Sequence, residues 1–222
     1  MKEITVLIII ISFVEKSLGT FTIALTDVQG DLKPNELNFS EILDENRHFN
    51  RQENLCPRRI MGGVDANITE VPYQVALREK MSFVIWATFC SGSLITLRFV
   101  ITAAHCFIHT KNYRKLNKVR VVAGSTKKTV VVFAQVKEHS RKIKNFFKHK
   151  FYDQQLMKYD VGIIELYFDF IKSKEIQPIR MYALDWDEDL DDNESCLVTG
   201  YGYTGDPNHV KDLQMVCIPL IT

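Results

Sequence analysis

The chain has 222 residues, with 28 Lys and Arg against 27 Asp and Glu for a formal net charge of +1, and five cysteines. That near-balance excludes the strongly basic surface on which general nucleic-acid binding rests. Five is an odd count, so in an exported chain at least one cysteine has no partner within the chain.

Lys2 and Glu3 precede an apolar run from Ile4 to Val14. This run is shorter than the about 20 residues a membrane-crossing helix needs, and it suits the apolar region of a secretory signal peptide. Ser17 and Gly19 put small residues at the two positions that direct cleavage, which predicts a signal peptide over 1–19. The expectation is a secreted, extracellular protein with no membrane attachment once that peptide is removed; Glu15 and Lys16 leave an uncleaved anchor as the minor alternative. Residues 20–59 hold no sustained period of 2 or 3.6 and read as a loosely ordered pro-segment, which only Cys56 could anchor. Asn38, Asn67 and Asn193 each open an Asn-x-Ser/Thr glycosylation sequon.

At Arg58-Arg59-Ile60-Met61-Gly62-Gly63 a dibasic pair abuts an apolar residue and two glycines, and an alternating strand begins at Pro72 to Leu77. The densest signal follows over Phe89 to Phe107. Cys90 and Cys106 bracket two strand-like runs, Ser93 to Thr96 and Phe99 to Thr102, with His105 next to the second cysteine. A disulfide across that interval would restrain the unfolded chain by roughly 3 kcal/mol and hold the imidazole at a rigid strand end, which makes His105 the candidate for chemistry.

Further strand-like runs lie at Lys118 to Ala123, Thr129 to Val136 and Val161 to Leu166, the first two separated by the turn signal Gly124-Ser125. Short strands without a helical repeat point to an all-β barrel or sandwich. Asp160 directly precedes an apolar strand, the setting a buried carboxylate needs to orient an imidazole; Asp153, followed by Gln154-Gln155, ranks far behind it. Lys137 to Lys150 holds six Lys and Arg and reads as a solvated loop, with polyanion binding the less favoured alternative. An acidic run from Asp185 to Glu194 fails the calcium-loop pattern, because Leu190 takes the position that demands glycine. His105 and His109 lack the glutamate of a zinc-protease helix. No metal or cofactor is expected.

These segments resemble the chymotrypsin- and trypsin-like serine proteases. Thr102-Ala103-Ala104-His105-Cys106 is similar to the family's histidine signature, and Cys90-Ser91-Gly92-Ser93-Leu94 to the segment before it. Asp160-Val161-Gly162-Ile163 is similar to the family's Asp-Ile-Ala-Leu, and Cys196 to Gly202 to the strand opening its second barrel. The resemblance implies an all-β, chymotrypsin-like double antiparallel barrel over 60–222. Its first barrel would be complete over about 60–180, and its second only begun over about 181–222. It further implies that His105 is the general base, that Asp160 is its acid partner, that Cys90 pairs with Cys106, and that an activating trypsin-like protease cuts between Arg59 and Ile60.

Met61 stands where the family usually has valine. Cys196 resembles a cysteine whose family partner lies beyond Thr222, Cys56 resembles one that tethers a pro-segment but meets Arg180 at the matching position, and Cys217 has no assigned partner. The family's Gly-Asp-Ser-Gly-Gly segment does not occur in these 222 residues. The expectation is therefore a trypsin-like endopeptidase zymogen, acting on protein or peptide substrates, whose serine is absent here and which is inactive as given. The alternative is a non-catalytic homologue that serves as a binding or regulatory module. The pocket residues that set substrate preference are not legible.

Overall fold

The computed structural model describes residues 64–82, 85–109, 112–113, 115–131, 139–179, 195–201 and 212–219. The expected signal peptide and pro-segment with Cys56, the Arg59-Ile60 junction, Asn38, Asn193 and the acidic run lie outside the described residues. The described chain is built from strands: β1 (Val64–Asp65), β2 (Gln74–Lys80), β3 (Ile85–Leu94), β4 (Phe99–Thr102), β5 (Ile108–His109), β6 (Asn112–Tyr113), β7 (Val119–Ala123), β8 (Thr129–Val131), β9 (His139–Lys148), β10 (Gly162–Leu166), β11 (Ser195–Gly200) and β12 (Gln214–Pro219).

Apolar residues at every second position decide how these strands close. Val75 and Leu77 of β2, Val119, Val121 and Ala123 of β7, and Ile164 and Leu166 of β10 turn into one core with Leu94, Val100, Ile143 and Phe107. The hydrogen-bonded order β2-β7-β9-β10-β4-β3 returns to β2 through a direct β2–β3 pairing, so six antiparallel strands form a closed barrel, with β8 added on the edge of β3. Closure leaves none of these six strands as a free edge. The all-β, double-barrel expectation holds, with one barrel closed and a second, three-stranded sheet that is not.

That second sheet has the order β1-β12-β11. It draws one strand from near the start of the described chain: β1 pairs with β12 through Val64↔Met215 and Asp65↔Gln214. The sheet rests on the outer face of β2 and β7: Ala76 and Val122, which point away from the barrel core, pack with Ala66, Val71, Leu197, Tyr201, Leu213 and Cys217. Hydrogen bonds fasten it, from Leu213 N to Thr126 O at 2.7 Å, Ala66 N to Leu213 O at 2.9 Å and Tyr201 Oη to Ser125 O at 2.6 Å.

Lys137 to Lys150, read from sequence as a solvated loop, contains the ten-residue strand β9, paired on both sides with β7 and β10. Its charges obscured a sparse apolar set: Ile143 is buried in the core and the Phe146 ring stacks on Phe107 at 4.3 Å. Two-sided backbone pairing outweighs the weak strand preference of lysine.

β10 is buried at every position. Glu165 points away from the core yet is only 5% exposed, and three donors meet it: Lys144 Nζ and Arg98 Nη2 reach Oε1 at 2.8 and 3.1 Å, and Asn145 Nδ2 reaches Oε2 at 2.7 Å. Burial pushes this carboxyl up, but the hydrogen bonds from Lys144, Asn145 and Arg98 outweigh it and hold the pKa below its ordinary value. A depressed folded pKa means the stabilisation is fully present above the ordinary carboxyl value and is lost as pH falls through the folded one. Glu165→Gln should therefore lower stability by about 1–3 kcal/mol at pH 7. Urea denaturation should show the gap to the parent closing on acidification; a gap unchanged down to pH 2 would refute this account.

Gly162 faces the Phe146 ring, and a Cβ added there would lie 2.5 Å from Phe146 Cε2. The alanine that the family motif carries at this position does not fit beneath Phe146. Gly162→Ala should cost about 1–3 kcal/mol by overpacking, and adding Phe146→Leu should recover part of it in the same denaturation experiment.

Candidate active site

Strand register places the two candidate residues together. β4 and β10 are antiparallel, with Thr102 opposite Gly162. His105 lies three residues past Thr102 and Asp160 two residues before Gly162, so both leave the same end of one strand pair. After β4 the chain bends at Ala103 and makes a single 3-10 turn over Ala104–Cys106. Ala104 and Cys106 are buried there, and the turn sends the intervening His105 side chain outward, 22% exposed.

Asp160 receives two hydrogen bonds from His105. Its Oδ1 accepts the His105 backbone N–H at 2.8 Å, and its Oδ2 lies 2.5 Å from Nδ1. With Nδ1–H donating to the carboxylate, the other ring nitrogen, Nε2, is left to exchange a proton elsewhere. Nε2 also lies 3.8 Å from Cys106 Sγ.

Each partner is braced. Cys90 on β3 and Cys106 are disulfide-bonded, with Cα atoms 6.1 Å apart across a separation of 16 residues. Phe107, directly after the turn, is buried between Phe89 and Phe146. Thr102 Oγ1 donates to Ser91 O at 2.8 Å, linking the end of β4 back to β3.

On the Asp160 side the bracing is a turn that the sequence did not reveal. Asp153 and Lys158 exchange backbone hydrogen bonds at 3.0 and 3.2 Å, and Asp153 Oδ1 accepts from the N–H groups of Gln155 and Leu156. Asp153, the weaker sequence candidate, is thus occupied in forming the turn. Met157 and Tyr159 both take left-handed backbone conformations, with φ of 51° and 54°, which is uncommon for residues other than glycine. The Tyr159 ring stacks on His149 at 5.0 Å and contacts Phe151 at 5.9 Å, offsetting that strain. Beside the turn, burial first and then the charges of Asp160 and Asp153 push the Tyr152 phenol up to about 12, so it stays protonated.

The remaining candidates are placed as follows. Cys90, His105 and Cys106 bring three candidate metal-ligand atoms within 4.8 Å of one another, but the two sulfurs are bonded to each other and offer no thiolate. Ser93 is a buried barrel position paired with Gln74 and Ile101. Ser125 Oγ is hydrogen-bonded to Lys127 N and Arg78 Nη2. Asn67 is exposed, and its Oδ1 accepts from both the N–H and the hydroxyl of Thr69, a closed local turn at that sequon.

A family model described as Trypsin matches residues 60–222, the region that carries this barrel and this pair. The chain belongs to the trypsin family. Among curated trypsin-family proteins, it is 29% identical over 164 residues to "Trypsin" of Phaedon cochleariae, covering 73% of this chain and 57% of that protein. It is 36% identical over 146 residues to "Trypsin theta" of Drosophila melanogaster, covering 65% and 48%. It is 27% identical over 167 residues to "Trypsin-1" of Astacus astacus, covering 73% and 65%. The chain thus spans roughly half to two-thirds of the length of these trypsins, and the catalytic apparatus it holds is incomplete.

The disulfide's share of the bracing is measurable. Replacing Cys90 and Cys106 together by alanine should lower stability by about 3 kcal/mol on the loop-closure argument. Comparing urea midpoints of the parent and the double variant checks this, and equal midpoints would show that the barrel alone fixes the turn carrying His105.

Proposed function

We propose that these residues are the part of a secreted trypsin-like serine endopeptidase zymogen that supplies the general base and its orienting acid. The observation that carries the reading is the double hydrogen bond between His105 and Asp160 at the rim of a closed barrel. In this reading Nε2 of His105 takes the proton of a serine hydroxyl as that oxygen attacks a peptide carbonyl, then returns it to the leaving amine. Asp160 holds the tautomer and stabilises the imidazolium that forms between the two steps.

The serine would come from a Gly-Asp-Ser-Gly-Gly segment, which these 222 residues do not include. Without a nucleophile, turnover in such a unit falls by about 10⁶, so the 222 residues alone are inactive. Release of the zymogen would follow cleavage between Arg59 and Ile60, within a dibasic segment beside two glycines that matches a trypsin-like activator. Secretion rests on the apolar run Ile4 to Val14 and on three sequons.

The test is a chain extended through its serine segment and exposed to trypsin. N-terminal sequencing should find a new terminus at Ile60, accompanied by hydrolysis of peptide substrates. Asp160→Asn should then reduce turnover by about 10⁴ while leaving the fold intact, because the imidazole loses its oriented tautomer. An extended chain that is cut at Arg59 but hydrolyses nothing would favour the non-catalytic homologue.

A further inference from the structure

We propose that His149 is a positioning residue for Asp160, holding the chain on both sides of that aspartate so that its carboxylate meets the imidazole of His105. The proposal deepens the base-and-acid reading of the site and rests on it. Asp160 is the middle residue of a three-residue turn, closed by a hydrogen bond from Val161 N to Tyr159 O at 2.8 Å. In so tight a turn the direction of the middle side chain follows from where its two neighbours are fixed.

His149 fixes both neighbours. Its backbone N–H donates to Val161 O at 2.9 Å, on one side of Asp160. Its ring stacks on the Tyr159 ring at 5.0 Å, with 9° between the planes, on the other side. The stack matters because Tyr159 stands at φ 54°, a left-handed conformation that costs about 1–3 kcal/mol for a residue with a side chain. Relaxation of Tyr159 to negative φ would rotate the peptide that enters Asp160 and re-aim its carboxylate. The hydrogen bonds that Asp160 accepts from His105, at 2.8 and 2.5 Å, need one orientation of that group.

The ring of His149 is itself immobilised. His149 is 4% exposed, its Nδ1 accepts the Phe151 N–H at 3.2 Å, and its carbonyl accepts the Tyr152 N–H at 3.0 Å. β9 ends at Lys148, directly before it, and that residue pairs with Gly162 of β10. The ring thus carries the rigidity of the barrel wall to Tyr159 from outside the Asp153 turn. Space filling alone asks for neither a flat face parallel to Tyr159 nor a ring acceptor for the Phe151 N–H.

NMR of the 222-residue chain tests the link. The His105 Nδ1–H proton, deshielded by the Asp160 carboxylate, should give a low-field line that His105→Ala removes. His149→Ala should weaken that line or move it towards the position of an ordinary imidazole N–H, with the amide lines of β4 and β10 unchanged. His149→Phe, which keeps a flat ring for Tyr159 to stack on, should restore most of it. Should the alanine variant fail to fold, His149→Leu, which fills the space without a flat face, takes its place. A low-field line unchanged by loss of the ring overturns the proposal, and so does a phenylalanine variant no better than the alanine or leucine one. In a chain extended through its serine segment, His149→Ala should lower kcat by up to about 10²-fold with KM little changed, and His149→Phe should recover most of that loss. A fall confined to KM also overturns the proposal. An extended parent chain that hydrolyses nothing would count against the proposed activity alone, because the NMR line is read without turnover.

Discussion

The antiparallel pairing of β4 with β10 is the constraint on which the candidate site depends. Because Thr102 faces Gly162, the chain leaving β4 and the chain entering β10 meet at one end of the barrel, and His105 and Asp160 come together with no long excursion by either. The pairing is held from both sides. β9 lies beyond β10, β3 lies beyond β4, and the core residues Val100, Ile164 and Leu166 sit beneath. Asp160 then adds a lock of its own by accepting the His105 backbone N–H, so the same carboxylate fixes both the turn and the ring.

Two faces of the barrel wall do different work. The inward positions of β2 and β7 fill the barrel core, while their outward apolar positions, Ala76 and Val122, are covered by the second sheet. On β10 the outward position is Glu165, and there the covering is electrostatic, supplied by Lys144, Asn145 and Arg98 from neighbouring segments. A buried charge is tolerated when it is this fully hydrogen-bonded, and removing one member leaves the others imperfectly matched.

The candidate residues were legible in the sequence because their surroundings are local: the five residues Thr102 to Cys106, and an aspartate directly before an apolar strand. The all-β class was legible for the same reason, through short alternating runs, and the choice of a barrel over a sandwich came from the family resemblance. What was not legible depended on partners distant in the chain. β9 carries so many cations that only pairing with β7 and β10 reveals it as a strand, and β1 is two residues long and is defined entirely by β12. The left-handed conformations of Met157 and Tyr159 left no signature, because neither is a residue type that announces such a turn. Gly162 was visible as a departure from the family pattern, but its reason, the ring of Phe146, comes from another strand.

The His105–Asp160 contact joins residues 55 positions apart. No local segment of the chain can form it, so it needs the pairing of β4 with β10, in which the entropy of drawing distant segments together is offset by the shared core. Bringing the imidazole and the carboxylate together therefore depends on tertiary structure in this molecule. A chain in which β4 and β10 have not paired carries the imidazole and the carboxylate as two unconnected side chains.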